Sequence, residues 1–369
     1  MHLCQYYYET VNNKTRVLVV DDSPLVRNIL VQGLSMRPEI EVVGSARDVF
    51  EARDKIIELN PDVMTLDVDM PKMDGVEFLR RLMPQHPIPV VMVSSLTREG
   101  AQVTLDALEA GAVDFVPKPS AELAGGVGAM LAELAEKVVA ASRINVSHLK
   151  RALPAAQKLM AAPAKPVSNP MSDKVVAIGA STGGTEALRD LLAKMEPDAP
   201  GILIVQHMPA AYTKAFAERL NGVSRYAVKE AEPGDVVRNG QALVAPGDLH
   251  LSLLKLGGTY KTICQPGEKV NGHCPSVDVL MKSVAREAGA NAIGVILTGM
   301  GFDGAAGLLE MRKAGARTVA QDEETSVVFG MPKVAYEKGA AESLQPLGKI
   351  APLISRLAGE IDVLKGTIH

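Results

Sequence analysis

The segment Gly179-Ala180-Ser181-Thr182-Gly183-Gly184 places a serine among small residues directly after an apolar run. The G-x-S-x-G spacing is typical of a nucleophilic serine, because small neighbours permit the sharp turn that exposes its hydroxyl. A helix that begins just after the turn would point backbone N–H groups at an oxyanion. A phosphate-binding loop or tight packing would also use such a turn. The assignment to a hydrolase therefore requires a base and an acid as well.

The second half of the chain offers four histidines as the base: His207, His250, His273 and His369. His207 follows the apolar run 202–205, so we expect it at the carboxyl end of a strand beside the serine turn. His250 lies in a stretch of alternating polar and apolar residues, which favours a half-buried structural role. His273 follows an Asn-Gly loop and is expected at most to line a pocket. We therefore predict that His207 is the base.

The acid that orients this base should also follow a strand. Asp303 comes after the apolar run 293–297 and a glycine turn, whereas Asp278 lies in a helical pattern that indicates packing or capping. We predict a triad of Ser181, His207 and Asp303. Its order along the chain differs from that of α/β-hydrolases, but a triad is defined by geometry and not by order.

Three glycines around Asp303, namely Gly299, Gly301 and Gly304, also match the G-x-G-x-x-G pattern of dinucleotide-binding proteins. A Rossmann fold places this pattern at its first βα turn, whereas here it comes late in the domain. Asp303 would also face the pyrophosphate with a like charge. The sequence therefore disfavours NAD binding.

A second group of polar residues follows apolar runs in the first 120 residues: Asp21, Asp22, Asp67, Ser94 and Lys118. The carboxyl ends of parallel strands share one edge of a sheet, so these side chains should converge. Crowded carboxylates favour a hard cation such as Mg²⁺, which together with Lys118 would neutralise a phosphoryl group transferred to Asp67. Helix caps or surface acids are the alternative, but several residue types at four strand ends favour a site.

The elements that must position these residues follow from the hydrophobic pattern. Val-rich runs alternate with amphipathic stretches over 16–119, which predicts a five-stranded, doubly wound parallel sheet. The predicted strands are 16–20, 40–44, 63–66, 90–93 and 114–116. The predicted helices are 25–34, 49–59, 76–83, 101–110 and 122–141.

A second α/β pattern begins at Lys174 and predicts a mainly parallel sheet. Its expected central strands are 175–178, 202–205, 292–297 and 318–320. The turn-rich stretch 235–264 alternates between apolar and polar residues, which predicts an antiparallel hairpin excursion. Residues 143–171 contain four prolines and no acidic residue, so we predict an interdomain linker with one helical piece near 146–153.

The composition excludes several classes of protein. The net charge is −4; the part from Met171 onward has 21 basic and 22 acidic residues (−1), which leaves −3 for the first part. Neither part has the basic excess of a nucleic-acid surface, and no apolar run or signal peptide indicates membrane insertion or export. The three cysteines form neither a metal-binding pattern nor a disulfide scaffold. We therefore expect a cytoplasmic location.

Four segments of the first half resemble the response-regulator receiver domain: Val19-Val20-Asp21-Asp22-Ser23, Leu66-Asp67-Val68-Asp69-Met70-Pro71, Val93-Ser94-Ser95 and Lys118-Pro119. The resemblance implies that Asp67 is phosphorylated and that Mg²⁺ is bound nearby. The implied metal ligands are Asp21, Asp22, Asp67 and the backbone of Asp69. The implied switch residues are Ser94, Phe115 and Lys118.

Residues 173–362 resemble the catalytic domain of the chemotaxis receptor methylesterases, the CheB family. The matching motifs are Gly-Ala-Ser-Thr-Gly-Gly (179–184), Gln206-His207-Met208, Pro246-Gly247-Asp248, Pro275-Ser276-Val277-Asp278 and Thr298-Gly-Met-Gly-Phe-Asp-Gly304. The resemblance implies that Ser181 is the nucleophile, His207 the base and Asp303 its partner. It also implies that the N–H of Met300 holds an oxyanion and that Thr182 neighbours the base.

These resemblances imply an N-terminal extension (1–15), a receiver (16–142), a linker (143–171) and a methylesterase domain (172–365). They imply a phosphorylation-activated hydrolase that demethylates glutamyl esters and deamidates certain glutamines on methyl-accepting chemoreceptors, without a cofactor for ester hydrolysis. A chemotaxis histidine kinase would be the phosphodonor. Phosphorylation of Asp67 would pull Ser94, swing Phe115 inward and release a receiver that otherwise packs over the Ser181 cleft. The alternatives are a non-catalytic binding module and, less favoured, a DNA-binding regulator.

Overall fold

The structure, a computed structural model, describes residues 14–71, 73–95, 97–118, 126–144 and 171–366. These residues form two compact units, 14–144 and 171–366, and each is described by itself. Most of the predicted extension and linker, including the helical piece near 146–153, lies outside the described residues. The domain boundaries therefore stay predictions.

The N-terminal unit contains a five-stranded parallel sheet with the strand order β2-β1-β3-β4-β5. Its strands are β1 (Thr15–Val20), β2 (Ile40–Ala46), β3 (Val63–Asp67), β4 (Val90–Ser94) and β5 (Asp114–Pro117). Its helices are α1 (Pro24–Ser35), α2 (Val49–Leu59), α3 (Gly75–Gln85), α4 (Arg98–Glu109) and α5 (Gly126–Ser142). The predicted doubly wound sheet is confirmed.

Local sequence accounts for the ends of these helices. The side chains of Ser23, Asp48, Asp74 and Thr97 each accept a hydrogen bond from a backbone N–H of the first turn of a helix. Helix α4 starts three residues before the predicted position because Thr97 Oγ1 accepts from Gly100 N–H at 2.9 Å. The N-termini therefore follow the caps more closely than the hydrophobic pattern.

The C-terminal unit contains a seven-stranded parallel sheet, in the order β14-β13-β12-β6-β7-β9-β8, and a separate antiparallel pair, β10-β11. Its strands are β6 (Val175–Ala180), β7 (Gly201–Gln206), β8 (Ala227–Glu230), β9 (Gln241–Val244), β10 (His250–Leu256), β11 (Thr259–Gln265), β12 (Ala292–Ile296), β13 (Arg317–Gln321) and β14 (Ser343–Gln345). Its helices are α6 (Gly184–Leu192), α7 (Ala210–Val223), α8 (Val277–Ala288), α9 (Ala305–Lys313), α10 (Met331–Glu337) and α11 (Leu347–Gly366).

Strand β6 lies at the centre of this sheet and pairs in parallel with both β7 and β12. Gly179 is paired with Val205 on one side and with Ile296 on the other. Because all three strands run the same way, their carboxyl ends open onto one crevice, where ligands of open α/β sheets bind. The loops after β6, β7 and β12 therefore meet at a single place.

The expectation of an antiparallel excursion over 235–264 is correct for only part of that stretch. Gln241–Val244 is buried on both faces and joins the parallel sheet between β7 and β8. The antiparallel pair begins at His250 and turns at Gly257 and Gly258, both of which have positive φ. The alternating pattern therefore identified the hairpin but could not reveal the long-range pairing of β9.

None of the helices in the described parts of the chain combines the length and the apolar composition that a membrane crossing requires.

Candidate active site and phosphorylation site

Ser181 is the first residue after β6 and lies in a tight turn that leads into α6. Its N–H donates to the Thr298 carbonyl at 3.1 Å, and its own carbonyl accepts from the N–H of Gly184 at 2.7 Å. Gly183 adopts a φ of 75°, which favours glycine, and is the N-cap residue of α6. The turn has the strand-turn-helix context that a nucleophilic serine requires.

The glycine-rich loop after β12 packs directly against this serine turn. A Cβ atom at Gly299 would lie 2.8 Å from Ser181 Cβ and 2.4 Å from Met331 Sδ. Gly304 has a φ of 91° and is the N-cap residue of α9. Close packing and turn geometry therefore explain two glycines of the dinucleotide-like pattern.

His207 follows β7 and is held next to the serine turn, since its N–H donates to the Ala180 carbonyl at 3.1 Å. Its ring Nε2 lies 2.9 Å from Asp303 Oδ2. Because a carboxylate can only accept, the Nε2–H of His207 is the donor of this hydrogen bond to Asp303. The opposite nitrogen, Nδ1, is buried and has no hydrogen-bond partner among the described residues. This arrangement leaves the Nδ1 lone pair for accepting a proton.

Asp303 is buried and receives hydrogen bonds from several donors besides His207. Its Oδ1 accepts from Asn271 Nδ2 at 2.7 Å and from Ser276 Oγ at 2.9 Å, and its Oδ2 accepts from the N–H of Val277 at 2.7 Å. Burial alone would raise the pKa of Asp303, but the hydrogen bonds from His207, Asn271 and Val277 outweigh it and hold that pKa well below the usual value. Asp303 is therefore a fixed, ionised acceptor.

The alternative candidates for base and acid have other contacts. His250 bonds the Glu268 carbonyl through Nε2 and accepts from the N–H of Ser276 through Nδ1, which is the structural role expected for it. Asp278 Oδ1 accepts from the N–H of Gly307 and joins α8 to α9, as the packing interpretation predicted. The structure brings His207 and not His250 to the serine turn.

Sequence reasoning missed several residues that support these side chains. Asn271 and Ser276 bond the carboxylate of Asp303, and Gln206 Nε2 donates to the carbonyls of both Ser181 and His207, at 3.0 and 3.3 Å. Gln206 and Ser276 stood inside recognised motifs, but their bonding partners are 25 and 27 residues away along the chain. No spacing in the sequence indicates such pairs.

The remaining predicted neighbours lie in the same crevice. Thr182 is buried, and its carbonyl accepts from Thr298 Oγ1 at 3.0 Å. Met300 directly follows Gly299, whose position next to Ser181 is described above. Thr182 therefore belongs to the serine turn itself, and Met300 belongs to the loop that packs against it.

The acidic residues of the N-terminal unit converge at the carboxyl ends of β1 and β3, as expected. Lys118 Nζ lies 2.7 Å from Asp67 Oδ2 and 3.1 Å from Asp21 Oδ2. Oxygen atoms of Asp21, Asp22 and Asp67 all lie within 4.8 Å of one another. The N–H of Asp69 donates to Asp67 Oδ1 at 3.4 Å.

The charges in this cluster perturb one another. Burial raises the pKa of Asp67 to about 6, against the opposing effect of Lys118. Burial likewise raises the pKa of Asp21, despite the neighbouring ammonium group. Burial alone would lower the pKa of Lys118, but its hydrogen bonds and attraction to Asp67 and Asp21 raise it. One lysine therefore does not fully compensate the carboxylates, and this donor set fits a hard divalent cation such as Mg²⁺.

Two of the three predicted switch residues, Ser94 and Phe115, are buried, whereas Lys118 is partly exposed. Ser94 Oγ and Thr104 Oγ1 are hydrogen-bonded at 2.6 Å. Phe115 is 4% exposed, and Lys137 Nζ lies 5.5 Å from the centre of its ring and 2.7 Å from its carbonyl oxygen. An inward swing from the surface would need an exposed ring, so that part of the expectation does not agree with the position of Phe115.

The fold and the two sites define a class of protein: a receiver-type phosphorylation unit joined to an α/β unit with a serine-hydrolase arrangement. Residues 17–124 match the response regulator receiver domain family, and residues 176–354 match the CheB methylesterase family. A protein-glutamate methylesterase/protein-glutamine glutaminase of Syntrophotalea carbinolica is 59% identical over 350 residues, which cover 94% of this chain and 98% of that protein. One of the same name from Sulfurimonas denitrificans is 50% identical, with coverages of 94% and 99%.

The chain therefore belongs to the CheB family of protein-glutamate methylesterases/protein-glutamine glutaminases. The crystal structure of the Thermotoga maritima CheB methylesterase catalytic domain is 40% identical, covers 50% of this chain and 98% of that one, and has a TM-score of 0.49. Membership confirms the resemblance stated from the motifs and identifies an enzyme. It disfavours the non-catalytic binding module, the DNA-binding regulator and the NAD-binding protein.

Proposed function

We propose that this enzyme hydrolyses glutamyl methyl esters, and deamidates certain glutamines, on chemoreceptors through a Ser181-His207-Asp303 acyl-enzyme mechanism. The observation that carries the proposal is the orientation of His207: Nε2 is bonded to Asp303, and the buried Nδ1 has no partner among the residues described. Ser181 and His207 follow adjacent parallel strands, which supports proton transfer between them. The catalytic domain is proposed to span 172–365.

In the first step, Ser181 Oγ attacks the γ-carbonyl carbon of the ester while its proton passes to His207 Nδ1. The tetrahedral intermediate then expels the methoxy group, which takes that proton and leaves as methanol. In the second step, His207 removes a proton from water, which attacks the acyl carbon. The second tetrahedral intermediate expels Ser181 Oγ, which takes that proton back from His207, and glutamate is released. Asp303 stabilises the imidazolium in both steps.

The negative oxygen of the tetrahedral intermediate needs hydrogen-bond donors. The close packing of Gly299 on Ser181 supports the N–H of the following residue, Met300, as one of them. Thr182 is buried in the same turn and is proposed to line the pocket beside the base.

We further propose that phosphorylation of Asp67 activates the esterase, with a chemotaxis histidine kinase as the phosphodonor. The carboxylates of Asp21, Asp22 and Asp67 and the backbone of Asp69 would hold Mg²⁺, which when bound offsets the charge of the incoming phosphoryl group. Lys118 already contacts Asp67 and would pair with a phosphate oxygen. Ser94 would exchange its bond with Thr104 for one with the phosphate.

The test measures methanol release from methylated chemoreceptor membranes by the full-length protein, with Mg²⁺ and a small phosphodonor added or omitted. We expect Ser181→Ala to abolish release and Asp67→Ala to keep the basal rate without stimulation. Release that persists in Ser181→Ala would contradict the acyl-enzyme mechanism. Equal stimulation of Asp67→Ala and the wild type would contradict the phosphorylation site and leave the esterase intact.

A further inference from the structure

We propose that the turn formed by residues 270–273 positions the His207–Asp303 pair, with Asn271 and His273 as positioning residues for the reaction. The inference rests on the proposed triad. Neither residue is expected to touch the substrate, since each acts through a neighbouring member of the pair.

Asn271 connects two carboxylates through one amide nitrogen. Its Nδ2 donates to Asp303 Oδ1 at 2.7 Å and to Asp278 Oδ2 at 2.9 Å. Both aspartates are almost completely buried, whereas Asn271 itself lies partly in solvent. A buried carboxylate requires donors, and an amide that uses both of its hydrogens also keeps the two carboxylates at a fixed separation. Asn271 thereby fixes the position of Asp303 Oδ1, the carboxylate oxygen that is not bonded to His207.

His273 covers one face of the proposed base. Its ring is stacked on that of His207, with 3.6 Å between the ring centres and an angle of 8° between the planes. The stack restricts rotation of the His207 ring about its side-chain bonds, and it excludes water from that face. The Nε2–Asp303 bond and the stack together define both the direction and the plane of the imidazole.

One short turn holds both residues in place. The backbone N–H of His273 donates to the Val270 carbonyl, and that of Val270 donates to the His273 carbonyl, each at 3.0 Å. Between them Asn271 has a φ of 53°, a left-handed conformation that asparagine adopts more readily than most residues. The closed turn places an amide on the acid and an aromatic ring on the base, so a single structural unit supports both ends of the hydrogen bond.

The experiment compares Asn271→Gly, His273→Ala and His273→Phe in the full-length phosphodonor-activated protein, with kcat and KM for methanol release from methylated receptor membranes. Glycine fits the backbone at position 271 and removes only the amide, so kcat should fall about tenfold. His273→Ala should lower kcat about fivefold, whereas His273→Phe keeps a stacking ring and should stay within about twofold of the wild type. KM should be unchanged in all three variants.

A double-variant measurement separates positioning from general stability. In the Asp303→Ala background, Asn271→Gly should cause no further loss of kcat, because the residue acts through Asp303. A rise in KM at constant kcat, a full additional loss in that background, or equal losses for alanine and phenylalanine at position 273 would overturn the inference.

Thermal unfolding shows whether each variant is folded, and Ser181→Ala reports on the triad itself. If Ser181→Ala is inactive while Asn271→Gly and His273→Ala match the wild type, only the positioning role fails. If Ser181→Ala remains active, the triad fails first.

Discussion

At the scale of single residues, two equally buried carboxylates have pKa values that are shifted in opposite directions. Asp303 and Asp67 are each 2% exposed. Asp303 receives hydrogen bonds from two side chains, two backbone N–H groups and His207, so its charged form is stabilised. Asp67 shares one lysine with Asp21, and burial therefore dominates. The hydrogen bonds to Asp303 keep its carboxylate ionised, whereas a bound cation would stabilise the charged form of Asp67.

The raised pKa of Asp67 predicts an unusual pH dependence of stability in the metal-free protein. Because the pKa rises from 3.8 to about 6 on folding, the native state loses stability as the pH increases from about 4 to about 6. Asp67→Asn should therefore stabilise the receiver by about 1–3 kcal/mol at pH 7.5 and not at pH 4. Hydrogen exchange of the β1 and β3 amides without divalent cations measures this difference.

The control for that experiment is the exposed acid Glu39, since Glu39→Gln changes the net charge equally without touching the site. Added Mg²⁺ should stabilise the wild type and not Asp67→Asn, because binding to the native state adds to its stability. If Asp67→Asn raises stability by the same amount at pH 4 and at pH 7.5, titration of this carboxyl is not the cause.

The sequence predicted the three residues of the proposed triad but not the groups that contact His207 and Asp303. The sequence could predict Ser181, His207 and Asp303 because each follows an apolar run that forms a parallel strand. Asn271 and His273 lie in a loop, where a residue's partners depend on the tertiary fold. His273 was expected only to line a pocket, and the stack with His207 is a contact that neither residue type nor spacing specifies.

At the scale of the element, Asp303 also caps a helix to which it does not belong. The N–H groups of Val277 and Asp278 at the start of α8 donate to its carboxylate, and Ser276, the N-cap residue, donates its hydroxyl there. These donors would otherwise be unsatisfied in a buried helix end. Asp303 thus joins α8 to the loop after β12.

Removal of Asp303 should therefore reduce stability as well as activity. Asp303→Ala should destabilise the catalytic unit by about 2–3 kcal/mol, because it leaves buried donors unpaired. His207→Ala should abolish activity with a smaller loss of stability, since Nδ1 has no partner among the described residues. Calorimetric unfolding of both variants compares them, and equal destabilisation would contradict the capping role.

The contact between the loop after β12 and the serine turn makes a second prediction. Gly299→Ala should lower kcat at least tenfold and destabilise the protein by about 1–3 kcal/mol, because its Cβ would overlap Ser181 and Met331. Gly222→Ala in α7, where a Cβ atom meets nothing within 4 Å, is the matched control. Methanol release and thermal unfolding measure the two effects. A Gly299→Ala enzyme with normal kcat would show that the loop can move away.

The sequence predicted the positions of the strands along the chain better than their order in the sheet. The apolar runs predicted the central strands to within two residues at each end, because both faces of these strands are buried by helices. The run at Gln241–Val244 was assigned to the antiparallel stretch, since turn residues surround it on both sides. Its partners, β7 and β8, are set by packing across the sheet and not by the residues of β9.

At the scale of the whole molecule, the proposed activation would require coupling between the proposed phosphorylation site and the proposed esterase site, which lie on separate units of the chain. If phosphorylation shifts a two-state equilibrium toward a receptor-binding state, thermodynamic linkage makes the coupling reciprocal. Receptor binding must then strengthen binding of the phosphoryl mimic BeF3⁻ at Asp67 by the same factor. Activation confined to the chemical step would leave both affinities unchanged.

The inactive Ser181→Ala protein allows both affinities to be measured without turnover. We expect BeF3⁻ with Mg²⁺ to tighten binding of methylated receptor membranes, and the receptor to tighten BeF3⁻ binding equally, by about 5- to 150-fold. Titrations in each order measure the two factors. The double variant Asp67→Ala/Ser181→Ala is the control, and neither affinity should change in it. Two factors of one would place the effect of phosphorylation on the chemistry at Ser181 and would contradict the expected coupling of the two binding equilibria. Equal factors above one would show that phosphorylation at Asp67 strengthens receptor binding.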